Sequence, residues 1–367
     1  MRSPLFDSEV QAKLDVIREA LKLNFIAGVR FRGVDWFSWI TGGGNSVVIL
    51  THEAGIADVL VTPTQCIVLT NAIEKDRLIE EELPDGYPVH AVAWQDPQKL
   101  DEYVRDVCEG EPVASDRPQL GEIPLPAEIL AAKRRLLPIE IERYRDLGRD
   151  AALAMTSTLM KATPEWTEFD LAAEGASALW KHGIHPTLTL VGGESRVSRH
   201  RHPFPTAEKL GSHAMLVFCA RRFGLYANFT RWIYFKKPTE TQLQRTRDAA
   251  EVEAVALQAS RPGASLSSIY ESIVKGYQKN GYSDEHLKHH QGGTTGYLSR
   301  EVVATPHTSN VILEAETAVA WNPSLVGAKI EDTILIGKNR TEVLTVDPDW
   351  PTFEVNGLQR PDLLVKI

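Results

Sequence analysis

Two stretches of this chain carry side chains able to move protons. The first is His289-His290-Gln291-Gly292-Gly293-Thr294-Thr295-Gly296-Tyr297, ending at Arg300-Glu301; the second, further on, is Lys329-Ile330-Glu331-Asp332-Thr333. Imidazoles titrate close enough to neutrality to take a proton from water and return it to a leaving nitrogen. Neighbouring glycines let the backbone pass close to a ligand. An acid in a β-rich run supplies an acceptor for a substrate's amine or guanidinium. Histidines beside glycines with an acid downstream therefore point to chemistry at C–N bonds. The scarcity of carboxylates matters equally, because so few anions are poorly suited to two divalent cations.

The elements that must position these residues are legible as alternating periods. Residues 8–23 place Val10, Leu14, Ile17 and Leu21 on one helical face. Short β-like runs follow at Trp36 to Ile40, Ser46 to Leu50, Val59 to Val61 and Cys66 to Thr70. Thr41-Gly42-Gly43-Gly44-Asn45 forms a turn among them, and a helix is predicted over 72–83. This texture reads as a small α/β domain. The Pro-, Gly- and acid-rich segment Glu109 to Pro126 is the expected linker. Beyond it, 139–161 has a helical pattern, and Thr167 with Asp170 opens a second helix that Gly183 closes. Met215 to Ala220 and Leu225 to Phe235 read as a hairpin joined through Arg221-Arg222-Phe223-Gly224. Helices are predicted over 240–260 and 267–280, the second with Ser268 and Glu271 at capping-box spacing, and 289–347 reads as strand and turn. The expected class is α+β in two domains, 1–125 and 126–367.

Composition narrows the partners. At 367 residues the chain is long for one core and comfortable for two. With 43% hydrophobic and 24% charged residues it reads as a soluble globular protein rather than a disordered one. A formal charge of -9 disfavours nonspecific binding to nucleic acid or to an anionic membrane. Met1 to Leu23 has no continuous apolar stretch, so neither a signal peptide nor a membrane anchor is expected there. Cys66, Cys108 and Cys219 are odd in number and widely spaced, which fits a reducing cytoplasm and no disulfide framework.

The order of the motifs is more specific than any one of them. Gly193-Glu194-Ser195, with His200 and Pro203, precedes a hairpin ending Asn228-Phe229-Thr230-Arg231. Two helices follow, then His289 to Glu301, Trp321-Asn322-Pro323 and Lys329 to Thr333. This succession resembles the creatinase, prolidase and aminopeptidase P superfamily over about residues 130–345, and implies a pita-bread fold for 126–367. The region 1–125, whose aromatic run leads into Thr41-Gly42, is similar to the small creatinase/prolidase-type N-terminal domain.

Metal-dependent members of that superfamily hold two divalent cations, often manganese, cobalt or zinc, with two Asp, one His and two Glu. Carried onto this sequence, the resemblance puts Asn228 at the second Asp and one of Val217 to Cys219 at the first. It puts His289 at the histidine with Gly292 in the family's glycine place, Asn322 before Pro323 at the first Glu, and Glu331 at the last. Two ligands of the five survive. Two cations would bring about four positive charges to one certain negative charge, which desolvation strongly disfavours. The expectation is no metal ligands and no cofactor.

Positions that face substrate in the superfamily are better kept. His200, seven residues after Gly193, stands where the family keeps a histidine beside the scissile bond. In metal-free creatinase that histidine is the acid/base. Tyr297, Arg300 and Glu301 continue the resemblance, with Arg300 at the arginine that grips the substrate carboxylate and Gly296 in place of a second histidine. The resemblance thus implies catalytic roles for His200, His289 and Glu331. It places His202, Asn228, Arg231, Tyr297, Arg300, Glu301, Trp321 and Asn322 against substrate.

Plainer readings stand beside these. His200 and His202 fit as loop histidines beside Pro203, and His289 and His290 as backbone partners near a glycine turn. Glu331 has Lys329 and Arg231 as candidate ion-pair partners, Cys219 suits a packed strand, and Trp321 suits either a pocket wall or the core.

The expected function is a metal-independent, creatinase-like hydrolase that cleaves a C–N bond of a small, carboxylate-bearing amide, guanidino or amino-acid-like substrate. In it His200 is the general acid/base, Arg300 holds the carboxylate and Glu331 orients the nitrogen. The alternatives are an Xaa-Pro aminopeptidase or dipeptidase with an atypical metal site, and a catalytically inactive module that binds a peptide or small ligand. By analogy with two-domain relatives the chain is expected to form a homodimer in the cytoplasm, with neither nucleic acid nor membrane as partner.

Overall fold

The helical spacing over 8–23 folds as α1 (Pro4–Asn24), which buries Val10, Leu14, Ile17 and Leu21. The computed structural model describes residues 4–119 and 121–367, so the reading of Met1 to Leu23 falls in part on residues 1–3, outside that range. The described chain divides into two compact units, Met1–Ile139 and Glu140–Ile367.

The first unit is built on a six-stranded sheet. Its strands are β1 (Gly28–Gly33), β2 (Ala54–Val61), β3 (Cys66–Asn71), β4 (Val89–Val92), β5 (Val113–Ser115) and β6 (Glu122–Pro124), in the order β4-β3-β2-β1-β5-β6. The helices α2 (Val34–Ile40), α3 (Gln98–Val107) and α4 (Ala127–Arg134) complete it.

Four expectations need correction here. Trp36 to Ile40 is helical, not extended: all seven residues of α2 are buried, and Trp36 stacks on Phe31 with ring centroids 4.9 Å apart. A short apolar run has no periodicity to separate helix from strand, so packing decides. Ser46 to Leu50 forms no strand, and Val48, Ile49 and Leu50 are exposed. The helix expected over 72–83 is broken into a turn at Lys75–Arg77 and a π-helical turn at Leu78–Glu82. The expected linker Glu109 to Pro126 contributes β5, paired in parallel with β1, and β6, paired in parallel with β5. The first compact unit runs to Ile139 and so takes in this segment.

The second unit begins with α5 (Pro138–Lys161) and α6 (Glu168–Trp180). The helix expected to open at Thr167 and Asp170 does so, and the two side chains form a capping box there, whereas Ser268 and Glu271 form none. Next come β7 (His185–Gly193), β8 (His213–Arg222) and β9 (Leu225–Tyr234). The predicted hairpin is β8–β9, turning at Phe223 and Gly224, both with positive φ. The helices α7 (Glu240–Ala259) and α8 (Leu266–Lys279) follow, and α8 is capped by Ser265 rather than starting at Ser268.

A second sheet is then assembled from β10 (Gly292–Thr295), β11 (Val302–Val303), β12 (Thr317–Trp321), β15 (Asp332–Ile336) and β16 (Thr341–Val343), in the order β11-β10-β12-β15-β16. Two short strands, β13 (Ser324–Leu325) and β14 (Ala328–Lys329), form a hairpin between β12 and β15. Apolar residues of α7 and α8, among them Leu257, Ile269 and Ile273, pack against Val319, Trp321 and Ile334 of this sheet to form its core. The hairpin sheet and the second sheet meet at Thr230 and Glu331, where the Thr230 amide donates to the Glu331 carbonyl at 3.1 Å. Among the described residues, no helix is long and apolar enough to cross a membrane.

Candidate active site

The meeting of the two sheets places the sequence motifs at one end of the second unit. On β9, Asn228 and Thr230 lie on one face, since side chains two apart in a strand share a side. Thr230 Oγ1 donates to Glu331 Oε2 at 3.0 Å. In the second sheet Trp321 pairs with both Gly292 and Asp332, so Gln291, Asn322 and Glu331, the next residues out, come together at its end. The Asn322 amide donates to the Gln291 carbonyl at 3.1 Å. Gly292 is required there. It has φ near 100°, and a Cβ would run into the Ala320 carbonyl of the adjacent strand.

Glu331 is buried and doubly paired. Arg300 Nη2 lies 2.6 Å from Oε1 and Lys329 Nζ lies 3.1 Å from Oε2. Burial alone would raise this carboxyl, but Lys329 and then Arg300 outweigh it and hold it down to about 2. Both oxygens of the acid are therefore occupied by the chain's own cations.

Three imidazoles stand beside this triad of charges. His289 is buried, with Nε2 at 2.8 Å from Nε2 of His202, and its ring stacks on His290 at 4.6 Å. His202 and His290 are exposed, and one ring nitrogen from each of the three lies within 4.8 Å of the others. Burial, followed by the Lys329 charge and the neighbouring rings, lowers His289 to about 2. Partial loss of ring hydration and then Arg300 lower His290 to about 4, and partial loss of ring hydration and then Lys329 lower His202. All three rings are neutral at pH 7. Cys219, opposite Asn228 in the β8–β9 register, is pushed up to about 12 by burial and then by the Glu331 charge, so it is a thiol rather than a nucleophilic thiolate.

Several polar atoms of the site are buried with no protein partner: Asn228 Oδ1, Asn322 Oδ1, His289 Nδ1 and Arg300 Nε. The orientation of Asn228 follows from its neighbour. Thr295 Oγ1 gives its proton to the Leu298 carbonyl at 2.9 Å, so it accepts from Asn228 Nδ2 at 3.0 Å, leaving Oδ1 as an acceptor. An orphaned buried acceptor costs about 1–3 kcal/mol, and a ligand carrying N–H groups removes that cost.

Not every expected site residue is brought in. His200 is exposed, and among the described residues no hydrogen bond or ring contact joins its imidazole to the cluster. The residue that reaches His289 is His202. Arg201, between them, is tied to Glu285 and to Ser324 Oγ, which fixes the loop.

Arg231 is corrected from substrate contact to structure, because its guanidinium bonds Asp332 at 2.8 Å and the carbonyls of Thr230 and Thr345. Trp321 is core, fully buried, with its indole N–H on Ser260. The Tyr297 hydroxyl donates to Glu140, and Glu301 accepts from the Tyr297 and Leu298 amides, so both fasten the loop rather than face a ligand. Arg300 gives Nη2 to Glu331 and Nη1 to the Ser299 carbonyl, which leaves Nε rather than the two-pronged end for a substrate. From sequence Lys329 is named only as a candidate ion-pair partner of Glu331, which it is, and His290 only within the histidine motif. The signal for Lys329 was its place two residues before Glu331 on an extended segment.

Comparisons with known proteins fit this arrangement. Residues 142–338 match metallopeptidase family M24. Over 124 residues, 32% of this chain, the sequence is 30% identical to an uncharacterized peptidase of Staphylococcus aureus strain MW2. That match spans 35% of the relative, about a third of its length. In three dimensions the chain is similar to the Xaa-Pro dipeptidase from Bacillus anthracis, with TM-score 0.78, 15% identity, and 97% of this chain and 100% of that one covered. For the prolidase from Pyrococcus horikoshii OT3 the values are 0.77, 18%, 91% and 98%. An N-terminal domain of a FACT complex subunit from chickpea is also similar, at TM-score 0.70 and 12% identity over 92% of this chain and 96% of that one. At such identities these likenesses establish the fold alone. The family match goes further, and the chain belongs to metallopeptidase family M24, within the creatinase, prolidase and aminopeptidase P superfamily of C–N bond hydrolases.

Proposed function

We propose that this chain is a metal-independent member of its family, a hydrolase that cleaves a C–N bond of a small amide, guanidino or amino-acid-like substrate by proton transfer through imidazole. The observation that carries the reading is the state of Glu331. It is the one carboxylate left at the superfamily's ligand positions, and both its oxygens hold cationic side chains at 2.6 and 3.1 Å. The family implies a pair of divalent cations, and the residues here do not fit one. Asn228 and Asn322 are neutral, Cys219 is held as a thiol, and Lys329 and Arg300 add positive charge where cations would sit.

The chemistry then falls to His202 and His289. With the His202 Nε2 proton donated to His289 Nε2, His202 Nδ1 is a free base at the exposed rim. It takes a proton from water as the water oxygen bonds to the substrate carbon. It returns that proton to the nitrogen as the C–N bond breaks, so one water is consumed and both rings end neutral. The lowered proton affinity of His202 makes it a weak base but a strong acid toward the leaving nitrogen. Asn228 Oδ1 and Asn322 Oδ1 accept the substrate's N–H groups, and Arg300 Nε meets an anionic or carbonyl oxygen. This moves the acid/base role from His200 to His202. A small-molecule substrate, a homodimer and a cytoplasmic setting accompany the reading by analogy with the superfamily.

The test is turnover of an amide, dipeptide and guanidino panel by the full chain and by two variants. His202→Ala is expected to abolish turnover and His200→Ala to keep it; the reverse pattern overturns the assignment. The family match favours a second reading, a peptidase with a metal site. Turnover lost to a chelator and restored by manganese selects that reading.

A further inference from the structure

We infer that His202, His289 and His290 form a binding site for a single zinc ion, distinct in its donors from the carboxylate-rich centre that the family implies. Three observations carry the inference. A ring nitrogen from each histidine lies within 4.8 Å of the others. Zinc–imidazole bonds of about 2.0–2.1 Å set tetrahedral nitrogen separations of about 3.3 Å, so shifts of an ångström or so bring the three rings into range. The Nε2 atoms of His202 and His289 already face each other at 2.8 Å, so the place of their shared proton can be taken by an ion. The ring that carries the Nε2 proton holds it on Nδ1 instead, and no proton leaves the pair. His289 Nδ1, buried and without a partner, shows that no protein acceptor fixes that tautomer.

Access and charge define the ion. His202 and His290 are exposed, so an ion reaches the cluster from solvent, while buried His289 forms its floor. Neutral imidazoles suit zinc and its neighbours late in the first row, whereas manganese and magnesium prefer oxygen donors. Lys329 and Arg300 lie close by and share the single charge of Glu331, leaving one net positive charge. That charge weakens the hold on any cation and opposes a second most strongly, so binding rests on the three imidazole donors and one ion is expected. Three protein ligands leave a fourth position for water.

Zinc there would take the lone pairs on which the proposed proton transfer depends. Inhibition by zinc therefore rests on that reading, whereas binding does not.

The test uses the full chain, stripped with a chelator and titrated with zinc sulfate in a calorimeter, with manganese chloride as comparison. One zinc per chain and no manganese are expected. His202→Ala and His290→Ala, at exposed positions, are each expected to weaken zinc binding at least about tenfold. Zinc-edge X-ray absorption of the loaded wild-type chain is expected to count three imidazoles. Absence of zinc binding, two ions per chain, unchanged affinity in either variant, or fewer than three imidazoles overturns the site. Zinc that binds as expected without slowing turnover leaves the site standing and overturns the role given to His202.

Discussion

Replacing Glu331 by Gln should destabilise the second unit by about 3–5 kcal/mol, because it leaves buried cations without their anion. At an effective dielectric constant of about 20, ion pairs at 2.6 and 3.1 Å attract by about 6 and about 5 kcal/mol, most of which is cancelled by desolvation of buried Glu331 and Lys329 and of partly buried Arg300. The carboxyl is held at about 2 rather than at 4.5, a preference for the ionised form of about 3 kcal/mol. Two compact units need not unfold together, so the measurement should be local. Native-state hydrogen exchange at Ile334 in β15 reads the loss directly. A double-mutant cycle with Lys329→Met isolates the pair, and the double variant is expected to recover part of the loss. A change within about 1 kcal/mol in Glu331→Gln, or no coupling in the cycle, refutes the claim that these cations are held by this acid.

Acid should weaken the fold in two stages. His289 is lowered to about 2 when folded, so below about pH 6.5 the unfolded chain takes up a proton that the native chain refuses, and stability falls by about 1.4 kcal/mol per pH unit from this residue. His290 acts in the same direction until about 4. The contribution of Glu331 is full above its unfolded value of 4.5 and is lost as pH falls toward 2. Urea midpoints measured between pH 7 and 5 should therefore slope downward in the wild type and less steeply in His289→Gln, where His290 still contributes. Asp332 accepts from Arg231, from Arg360 at 2.6 Å and from Thr345, all buried, and Arg360 also pairs with Glu253. Asp332→Asn should cost about 3–5 kcal/mol by the same exchange measurement, without altering zinc binding. A loss below about 1 kcal/mol contradicts a structural role for that network.

Much of the second unit was legible before the structure. The helix start at Thr167 and Asp170 and the turn at Phe223-Gly224 are local signals whose physics lies within a few residues, and both fold as read. The substitutions at Asn228 and Asn322 were equally plain, because they are identities rather than geometries. What failed depended on distant partners. Trp36 to Ile40 offers no period, and burial on all sides made it a helix. Counting from Gly193 selects His200, but the turn at Glu194–Val197 and the anchoring of Arg201 deliver His202 to the cluster. Arg231 could be assigned to Asp332 only once β9 was known to meet the end of β15. Arg300 kept its place but not its freedom, since the charge that would clamp a substrate is already on Glu331.

The most direct test of the account is anomalous diffraction from crystals of the full chain soaked in manganese. The expected map has no pair of manganese peaks at Glu331, with Lys329 and Arg300 still on its oxygens. Two well-occupied peaks bridged by Glu331, with Lys329 displaced, would contradict it.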